Sequence, residues 1–507
     1  MNGKFFHGLE YEDSYVYTVA ARQISEHARI GPPSIEHPYS IGVCAVGSLA
    51  SCLESETFQE HFMGDPYIVS LCSDVIGYRP DIASVASVAA ACVTAILIFL
   101  ICMLISRNVL AAGSAVLVFA ITPVFSVYGL ETSAEPVSNA YMSLILWFYL
   151  CYISAPPASN SRWGSVATWC AYTAALLFAL TIKRENILLV IMLPVIAFVL
   201  HLAGKGAKNP PNRKAQWILL STALALGFSY QMRIIQTTGE ETALLERFPL
   251  TLGGLLRLLP VFLRSFLVVQ WYGGVAFLVL IGAMVAWRRK GLTLFPLVLF
   301  VAYILVYAFH IRSYYEMRLG QTDPRAALRF SMNLMGLWSI LAGLGTAALL
   351  GLIQGTRLYK NHQLVFKTVG ACGLLFAISG SYLATKALRD DAVEDEFRVR
   401  IMPALTAVQN ASTDGSNRDY IVTLEPLMIQ MYASPNVNVL DLGTLDCRVL
   451  EDLGFSEKKI GVLLLEEQIH QTAADTERYK TQVTCLNRFK RNMLSGNKAF
   501  SVVRLSP

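Results

Sequence analysis

Residues 84–106 read SVASVAAACVTAILIFLICMLIS, a run of 23 residues without a charged side chain. As a helix, a run of this length crosses the hydrocarbon core of a bilayer, which needs about 20 residues, and it closes its backbone hydrogen bonds internally, as lipid requires. Comparable runs along the chain predict a multi-pass α-helical membrane protein with about ten spans. The runs are 84–106, 108–128, 136–154, 164–182, 187–203, 215–235, 270–287, 292–311, 330–353 and 364–386.

The composition agrees with membrane insertion. Hydrophobic residues make up 54% of the 507 residues and charged residues only 15%, whereas a soluble protein carries about a quarter charged residues. The net charge of +5 is small for this length, and its basic residues are spread over short loops, so nucleic acid is not a predicted partner. The ten cysteines show no Cys-x-x-Cys spacing, and no metal site is predicted from them. Spacing leaves a Cys447–Cys485 disulfide open.

Lysine and arginine in three short loops predict the orientation. Loops 204–214, 288–291 and 354–363 each carry several cations and fall on one face of a ten-span arrangement, which the positive-inside rule makes cytoplasmic. The opposite, extracytoplasmic face then holds residues 1–83, 129–135, 183–186, 236–269, 312–329 and 387–507. The predicted domains are a first loop with an acidic motif and interfacial helices (1–83), a transmembrane domain (84–386) and a small soluble α/β domain (387–507).

Local sequence patterns predict structure in both terminal segments of the chain, residues 1–83 and 387–507. Residues 420–424 and 460–465 resemble buried strands, and 466–479 resembles a polar, partly helical segment. Residues 40–53 are too short to span and predict an interfacial or re-entrant helix. Residues 1–30 lack the apolar core of a signal peptide. Either the first span inserts with its N-terminus outside, or a preceding helix is missing from the start, and the second reading is slightly favoured.

Glu12 and Asp13 are adjacent carboxylates in the stretch Glu-Asp-Ser-Tyr-Val-Tyr, which ends at Tyr17. Two neighbouring carboxylates near a low-dielectric surface can differ in pKa, so that one serves as a general base. A solvated turn is the more common reading of such a pair. Further along, His37 lies in Glu-His-Pro-Tyr, which is more often an ordinary loop than a site.

Two extracytoplasmic turns carry unusual charge. Gly-Leu-Glu-Thr (129–132) places Glu131 at a helix mouth, and Glu135 follows; a functional carboxylate and ordinary helix capping are equally good readings. The turn Lys183-Arg184-Glu185-Asn186 has two cations on the face that the positive-inside rule disfavours. They predict a bound anion such as phosphate. The alternative is a salt bridge within the turn, or to Glu131 or Glu135.

The predicted loop 312–329 repeats this anomaly. Its four arginines, Arg312, Arg318, Arg325 and Arg329, outnumber its two acids. A basic patch at a membrane surface suits an anionic lipid headgroup, and the alternative is a solvated loop.

In this order, these motifs resemble those of C-type (GT-C) glycosyltransferases that use polyprenyl-phosphate sugars, a class that includes protein mannosyltransferases, aminoarabinose transferases and arabinofuranosyltransferases. The resemblance covers residues 1 to about 350. It rests on Glu-Asp-Ser-Tyr-Val-Tyr (12–17) with Ala21-Arg22, on Glu-His-Pro (36–38), on Gly-Leu-Glu-Thr (129–132), on Lys-Arg-Glu (183–185) and on Arg329-Phe330.

The resemblance implies an inverting transfer of a sugar from a polyprenyl phosphate to a hydroxyl of a glycan, lipid or protein at the extracytoplasmic face of the plasma or inner membrane. Asp13, or less favourably Glu12, would be the base. Cationic groups would stabilise the leaving phosphate, and no redox cofactor is required, although a divalent cation is compatible with the chemistry. The implied substrate-binding residues are Tyr17, His37, Glu131, Lys183, Arg184, Glu185, Arg312, Arg318, Arg325 and Arg329.

Other membrane proteins remain as alternatives. A transporter usually carries ionisable residues near the bilayer midplane and broken helices in related halves, whereas these spans are almost free of internal charge. A flippase or a polymerase of lipid-linked glycans shares the basic outer loops and is harder to exclude.

Overall fold

The computed structural model divides the chain into two compact units: residues 1–84 with 390–507, and residues 85–389. It describes residues 17–18, 20–22, 24–25, 41–42, 64–79, 81–122, 134–154, 162–202, 221–222, 225, 259, 275–318, 332–355, 362–365, 368, 370, 375, 378–380, 382–383, 420–423, 438–441, 462–467, 490–496 and 500–506.

Within this part of the chain, nine α-helices have defined ends. They are α1 (Gly64–Ile76), α2 (Ile82–Ser106), α3 (Val109–Ile121), α4 (Ala134–Ser154), α5 (Arg162–Ile182), α6 (Ile187–Leu202), α7 (Val275–Arg289), α8 (Leu294–Arg318) and α9 (Met335–Gln354). Short 3₁₀ turns join α5 to α6 (Arg184–Asn186) and precede α8 (Gly291–Thr293) and α9 (Met332–Leu334).

Three helical stretches in the described residues are long and apolar enough to cross a membrane: α2, α4 and Met332–Gln354. Shorter apolar helices are Val109–Ile121, Ala167–Ile182, Ile187–Leu202 and Gly291–Val306. The predicted runs 215–235 and 364–386 lie mostly outside the described residues, so the count of about ten spans stays a prediction.

Helix α3 ends earlier than the predicted run 108–128. It stops at Ile121, and Thr122 already has the extended conformation (φ −70°, ψ 118°). The cause is Pro123, because a proline ring disfavours helical geometry in the residue before it. At its other end α3 is capped by Asn108, whose Oδ1 accepts hydrogen bonds from the main-chain nitrogens of Leu110 at 2.9 Å and Ala111 at 3.3 Å.

Helix α9 packs between α7 and α3 so closely that the helix backbones approach one another. A Cβ added to Gly282 of α7 would stand 1.8 Å from the carbonyl oxygen of Leu341, and one added to Gly345 of α9 would stand 1.9 Å from that of Leu278. On the other side, a Cβ on Gly343 would stand 2.3 Å from the carbonyl oxygen of Ala111. Small residues permit this close approach, on which helix association in lipid depends.

We expect Gly345→Ala to lower the unfolding free energy by about 1–3 kcal/mol, because the added methyl forces α7 and α9 apart. Gly351→Ala is the matched control in the same helix, since nothing lies within 4 Å of its added Cβ. Alanine there should be neutral or stabilising. Thermal unfolding of the purified protein in detergent measures both, and equal shifts for the two variants would contradict the packing argument.

The first unit contains a six-stranded sheet. Its strands are β1 (Ile41–Gly42), β2 (Tyr420–Thr423), β3 (Asn438–Asp441), β4 (Val462–Glu467), β5 (Lys490–Gly496) and β6 (Phe500–Ser506). Their order in the sheet is β1-β3-β2-β4-β6-β5. Strands β1 to β4 pair in parallel, and β6 is antiparallel to both β4 and β5.

The strands predicted at 420–424 and 460–465 are confirmed as β2 and β4. Two other expectations are wrong in part. Residues 41–42 form an edge strand instead of a helix, because their backbone pairs with Val439 and Leu440 of β3. Glu466 and Glu467, predicted to open a partly helical segment, extend β4 through pairing with β6. The extracytoplasmic placement of this sheet stays a prediction.

Candidate functional site

Several predicted site residues lie outside the described residues: Glu12, Asp13, His37, Glu131, Arg325 and Arg329. Cys447 and Cys485 also lie outside them. The roles assigned to these residues stay predictions. Tyr17 is described, and it lies in a buried helical position.

Tyr17 is the first described residue of an N-terminal helical segment, whose described residues are 17–18, 20–22 and 24–25. Its middle is buried: Ala21 and Thr18 are fully enclosed, and Arg22 is only 5% exposed. The guanidinium carbon of Arg22 lies 4.4 Å from the centroid of the Tyr78 ring. The segment that follows the acidic pair is therefore packed against residues of the first unit, whereas the pair itself lies outside the described residues.

Lys183 and Glu135 form an ion pair in the second unit. Lys183 Nζ donates to Glu135 Oε1 at 2.7 Å, and the exposed fractions of the two side chains are 12% and 1%. Glu135 lies in the first turn of α4, where a negative charge also favours the helix dipole. The salt bridge to Glu135, one of the alternatives for the charged turn, is therefore present in the structure, whereas Glu131 lies outside the described residues. The charge of Lys183 is largely balanced by this carboxylate.

Asn186 joins three helices beside this pair. Its Nδ2 donates to the carbonyl oxygen of Ala179 in α5 at 2.8 Å and to Ser138 Oγ in α4 at 3.1 Å. Its Oδ1 accepts from the Tyr303 hydroxyl in α8 at 3.3 Å. We call Glu135, Ser138, Lys183, Asn186 and Tyr303 the buried polar cluster. Lys183 bonds Glu135, and Asn186 bonds both Ser138 and Tyr303. These bonds offset part of the cost of burying polar atoms among apolar helices.

The turn between α5 and α6 is held by this cluster. Arg184–Asn186 form one 3₁₀ turn, and Glu185 is buried beside Tyr303, close enough to act electrostatically on its hydroxyl. The turn predicted at 183–186 is confirmed as a short connection. It is anchored at Lys183 and at Asn186, on either side of Arg184.

The polar face of α4 continues beyond Glu135 and Ser138 to Asn139 and Ser143, which are also buried. A Cβ added to Gly336 of α9 would stand 2.8 Å from Asn139 Oδ1 and 3.1 Å from Ser143 Oγ. Glycine at 336 therefore lets α9 close over polar atoms without displacing them.

Two of the four arginines expected in the loop 312–329 lie in a helix. Helix α8 runs to Arg318, seven residues beyond the predicted end at 311, because no proline or glycine interrupts the sequence before Gly320. The prediction of a loop over 312–318 is therefore wrong.

The described residues contain no group of three or more His, Cys, Asp and Glu side chains that could hold a metal ion. Burial, and then the nearby Asp65 carboxylate, raise the pKa of the Cys72 thiol. Cys72 is therefore protonated at neutral pH and is a poor nucleophile.

Sequence reasoning missed Ser138, Asn186 and Tyr303 as members of one cluster. The sequence did indicate a special role for Asn186, because this amide side chain directly precedes the apolar run 187–203. Ser138 and Tyr303 carried none, because single hydroxyl groups are common in such runs.

No protein-family profile matches the chain, and no curated protein matches it significantly. Solved structures do match. ArnT from Cupriavidus metallidurans bound to undecaprenyl phosphate is 14% identical, with a TM-score of 0.57 over 98% of this chain and 94% of that chain. The archaeal oligosaccharyltransferase AglB from Archaeoglobus fulgidus, in complex with an inhibitory peptide and a dolichol-phosphate, is 9% identical, with a TM-score of 0.53 over 97% of this chain and 70% of that chain.

Both neighbours have the GT-C fold of polyprenyl-phosphate-dependent glycosyltransferases. At these identities the likeness establishes the fold of this chain, and the resemblance inferred from its motifs is confirmed at that level.

Proposed function

We propose that this protein is an inverting glycosyltransferase that moves a sugar from a polyprenyl phosphate to a hydroxyl of a glycan, lipid or protein acceptor at the extracytoplasmic face. The observation that carries the proposal is the GT-C fold, matched over 98% of the chain. Fold alone does not determine function. The motifs of residues 12–17, 36–38, 129–132 and 183–185 supply the second support, because they occur in the order expected of these enzymes.

The reaction forms one bond at the anomeric carbon, breaks one there, and transfers one proton. The acceptor oxygen attacks the anomeric carbon of the sugar from the face opposite the phosphate, and the bond between that carbon and the phosphate oxygen breaks. Asp13 takes the proton of the acceptor hydroxyl, and the electron pair of the broken bond leaves on the polyprenyl phosphate. Negative charge develops on that phosphate, so a fixed cation near it lowers the barrier.

The ion pair of Lys183 changes which cation we assign to the phosphate. Because Glu135 balances the charge of Lys183, Lys183 contributes little net positive charge to a ligand. Arg184 follows it in the 3₁₀ turn and brings a guanidinium that can bind phosphate through two parallel hydrogen bonds. We assign the phosphate to Arg184, and to Lys183 the role of holding the turn.

The test of this proposal is a transfer assay on the purified protein in lipid, supplied with polyprenyl-phosphate-linked sugars that carry a radiolabel. We expect label to appear on a hydroxyl acceptor, with one polyprenyl phosphate released per sugar transferred. Nucleotide sugars, tested in parallel, should give no product.

Sealed vesicles that contain the protein separate the competing activities. Movement of the labelled lipid across the membrane without a new glycosidic bond would contradict the proposal and indicate a flippase. Label in chains of repeating units grown on the lipid itself would indicate a polymerase of lipid-linked glycans.

A further inference from the structure

Helix α7 has two different faces along its length. Val279, Gly282 and Ala286 are buried, on the side where Gly282 meets the backbone of α9. The opposite side carries large apolar side chains, each more than half exposed: Phe277, Leu280, Met284 and Trp287. Spacings of three and four place these four residues on one stripe about 15 Å long. In a bilayer such a stripe contacts lipid tails, which are as apolar as its side chains.

The stripe ends where α7 ends, at three consecutive cations. Arg288, Arg289 and Lys290 are all exposed, and Gly291 begins the 3₁₀ turn that leads into α8. We call the three cations the basic turn. Trp287, directly before it, is a residue type enriched at the boundary between membrane and water. The basic turn therefore leaves the apolar stripe at the level of the lipid headgroups.

No carboxylate in the described part of the chain forms an ion pair with the basic turn. The sequence agrees, because residues 247–315 contain neither aspartate nor glutamate. Cations at the C-terminal end of a helix interact favourably with its dipole, and this ordinary role accounts for Arg288 and Arg289 in the last turn of α7. It does not account for Lys290, which lies beyond the helix.

Lys290 is held in a backbone conformation that lysine rarely adopts. Its φ is 57° and its ψ is −158°, in a region that is occupied almost only by glycine. The main-chain nitrogen of Lys290 donates to the carbonyl oxygen of Ala286 at 3.0 Å, and Thr293 Oγ1 donates to the carbonyl oxygen of Lys290 at 2.8 Å. Glycine would fit this turn without strain. A strained residue of this kind is typical of positions where the side chain has a function.

We propose that the basic turn binds the headgroups of anionic phospholipids while the exposed stripe of α7 contacts their tails. The two guanidinium groups can each bind a phosphate through two parallel hydrogen bonds, and Lys290 adds a point charge. A lipid fits better than a soluble anion, because the cations continue directly from an apolar surface. Each cation near an anionic membrane surface raises affinity about fivefold. The inference does not depend on the reaction that the protein catalyses.

Native mass spectrometry of the purified full chain in detergent measures the Kd for phosphatidylglycerol and for phosphatidylcholine, whose headgroup has no net charge. We expect the original protein to bind phosphatidylglycerol about 10- to 100-fold more tightly, with a preference that weakens as salt is added. Lys290→Gly should lower this affinity about fivefold, and Arg288→Gln with Arg289→Gln about 25-fold. The affinity for phosphatidylcholine should stay within about twofold in every variant, because these substitutions leave the apolar stripe intact.

Lys290→Gly also separates loss of binding from loss of structure. Because glycine relieves the strained backbone, the unfolding temperature in detergent should rise by about 1–3 °C. Arg107→Gly is the matched control. Arg107 is an exposed cation at the end of α2 with a φ of 53°, and no other lysine or arginine lies between residues 80 and 161. This variant should not lose stability, and its affinity for phosphatidylglycerol should stay within about twofold of the original, because Arg107 has no neighbouring cation.

Equal affinities of the original protein for the two lipids would overturn the proposal. Equal losses of phosphatidylglycerol binding in Lys290→Gly and Arg107→Gly would also overturn it, since the number of cations alone would then set the affinity. Displacement of the lipid by inorganic phosphate, at an ionic strength matched with chloride, would make the basic turn a site for free anions instead. Unchanged binding in the double arginine variant would place the lipid elsewhere on the protein.

Discussion

Replacing Asp13 with asparagine is expected to lower kcat for sugar transfer about 10²–10⁴-fold, the usual contribution of a general base. Asparagine has nearly the size of aspartate but cannot accept the proton of the acceptor hydroxyl. KM for the lipid donor should change little, because the lost interaction is made mainly in the transition state. The measurement is kcat and KM of the purified variant with a labelled polyprenyl-phosphate sugar.

Glu12→Gln is the matched control for this variant. It removes the neighbouring negative charge without touching Asp13, and we expect a smaller loss of kcat than for Asp13→Asn. The reverse order would move the base to Glu12. Full transfer by both single variants and by the double variant would remove the acidic pair from the mechanism altogether.

Lys183→Met is expected to lower the unfolding free energy by about 3–5 kcal/mol, because it leaves a buried carboxylate without the ammonium that balances it. Glu135 is 1% exposed and so has little access to water as a substitute. Glu135→Gln should cost less, since the lysine side chain is 12% exposed and can turn its charged end toward water. Thermal unfolding of the two purified variants in detergent measures both losses of stability.

The double variant Glu135→Gln/Lys183→Met tests whether the two residues act as a pair. Removing both charges leaves no uncompensated ion, so the double variant should be more stable than Lys183→Met alone. Arg79→Gln is a useful control, because Arg79 forms an exposed ion pair with Asp81, and an exposed ion pair contributes little to stability. Strictly additive losses in the double variant would show that the 2.7 Å contact is not the source of the effect.

The sequence predicted those features that depend on local pattern. Long uncharged runs gave helices such as α2 and α4, and the strands β2 and β4 are found where apolar runs of strand length occur. Helix ends were predicted less well. Pro123 shortens α3, and the lack of a breaker before Gly320 lengthens α8, although both residues were visible in the sequence.

Contacts between residues far apart in the sequence could not be predicted to the same degree. The sequence offered Lys183 three possible carboxylate partners, and its ion pair with Glu135 depends on how α4 packs against the α5–α6 turn. Asn186 bonds to α4, α5 and α8, which no local pattern encodes. The two-residue strand β1 has too few residues to show a period of two, so its pairing with β3 depends on a sequence that lies far along the chain.

That pairing has a consequence for biosynthesis. Ile41 and Gly42 leave the ribosome about 400 residues ahead of Val439 and Leu440, a delay of about 20–80 s at ordinary translation rates. During this time every apolar segment of the second unit is made while the edge strand waits for its partner. A chain that stops before Val439 therefore leaves residues 41–42 without their partner strand, even where its membrane helices have already been made.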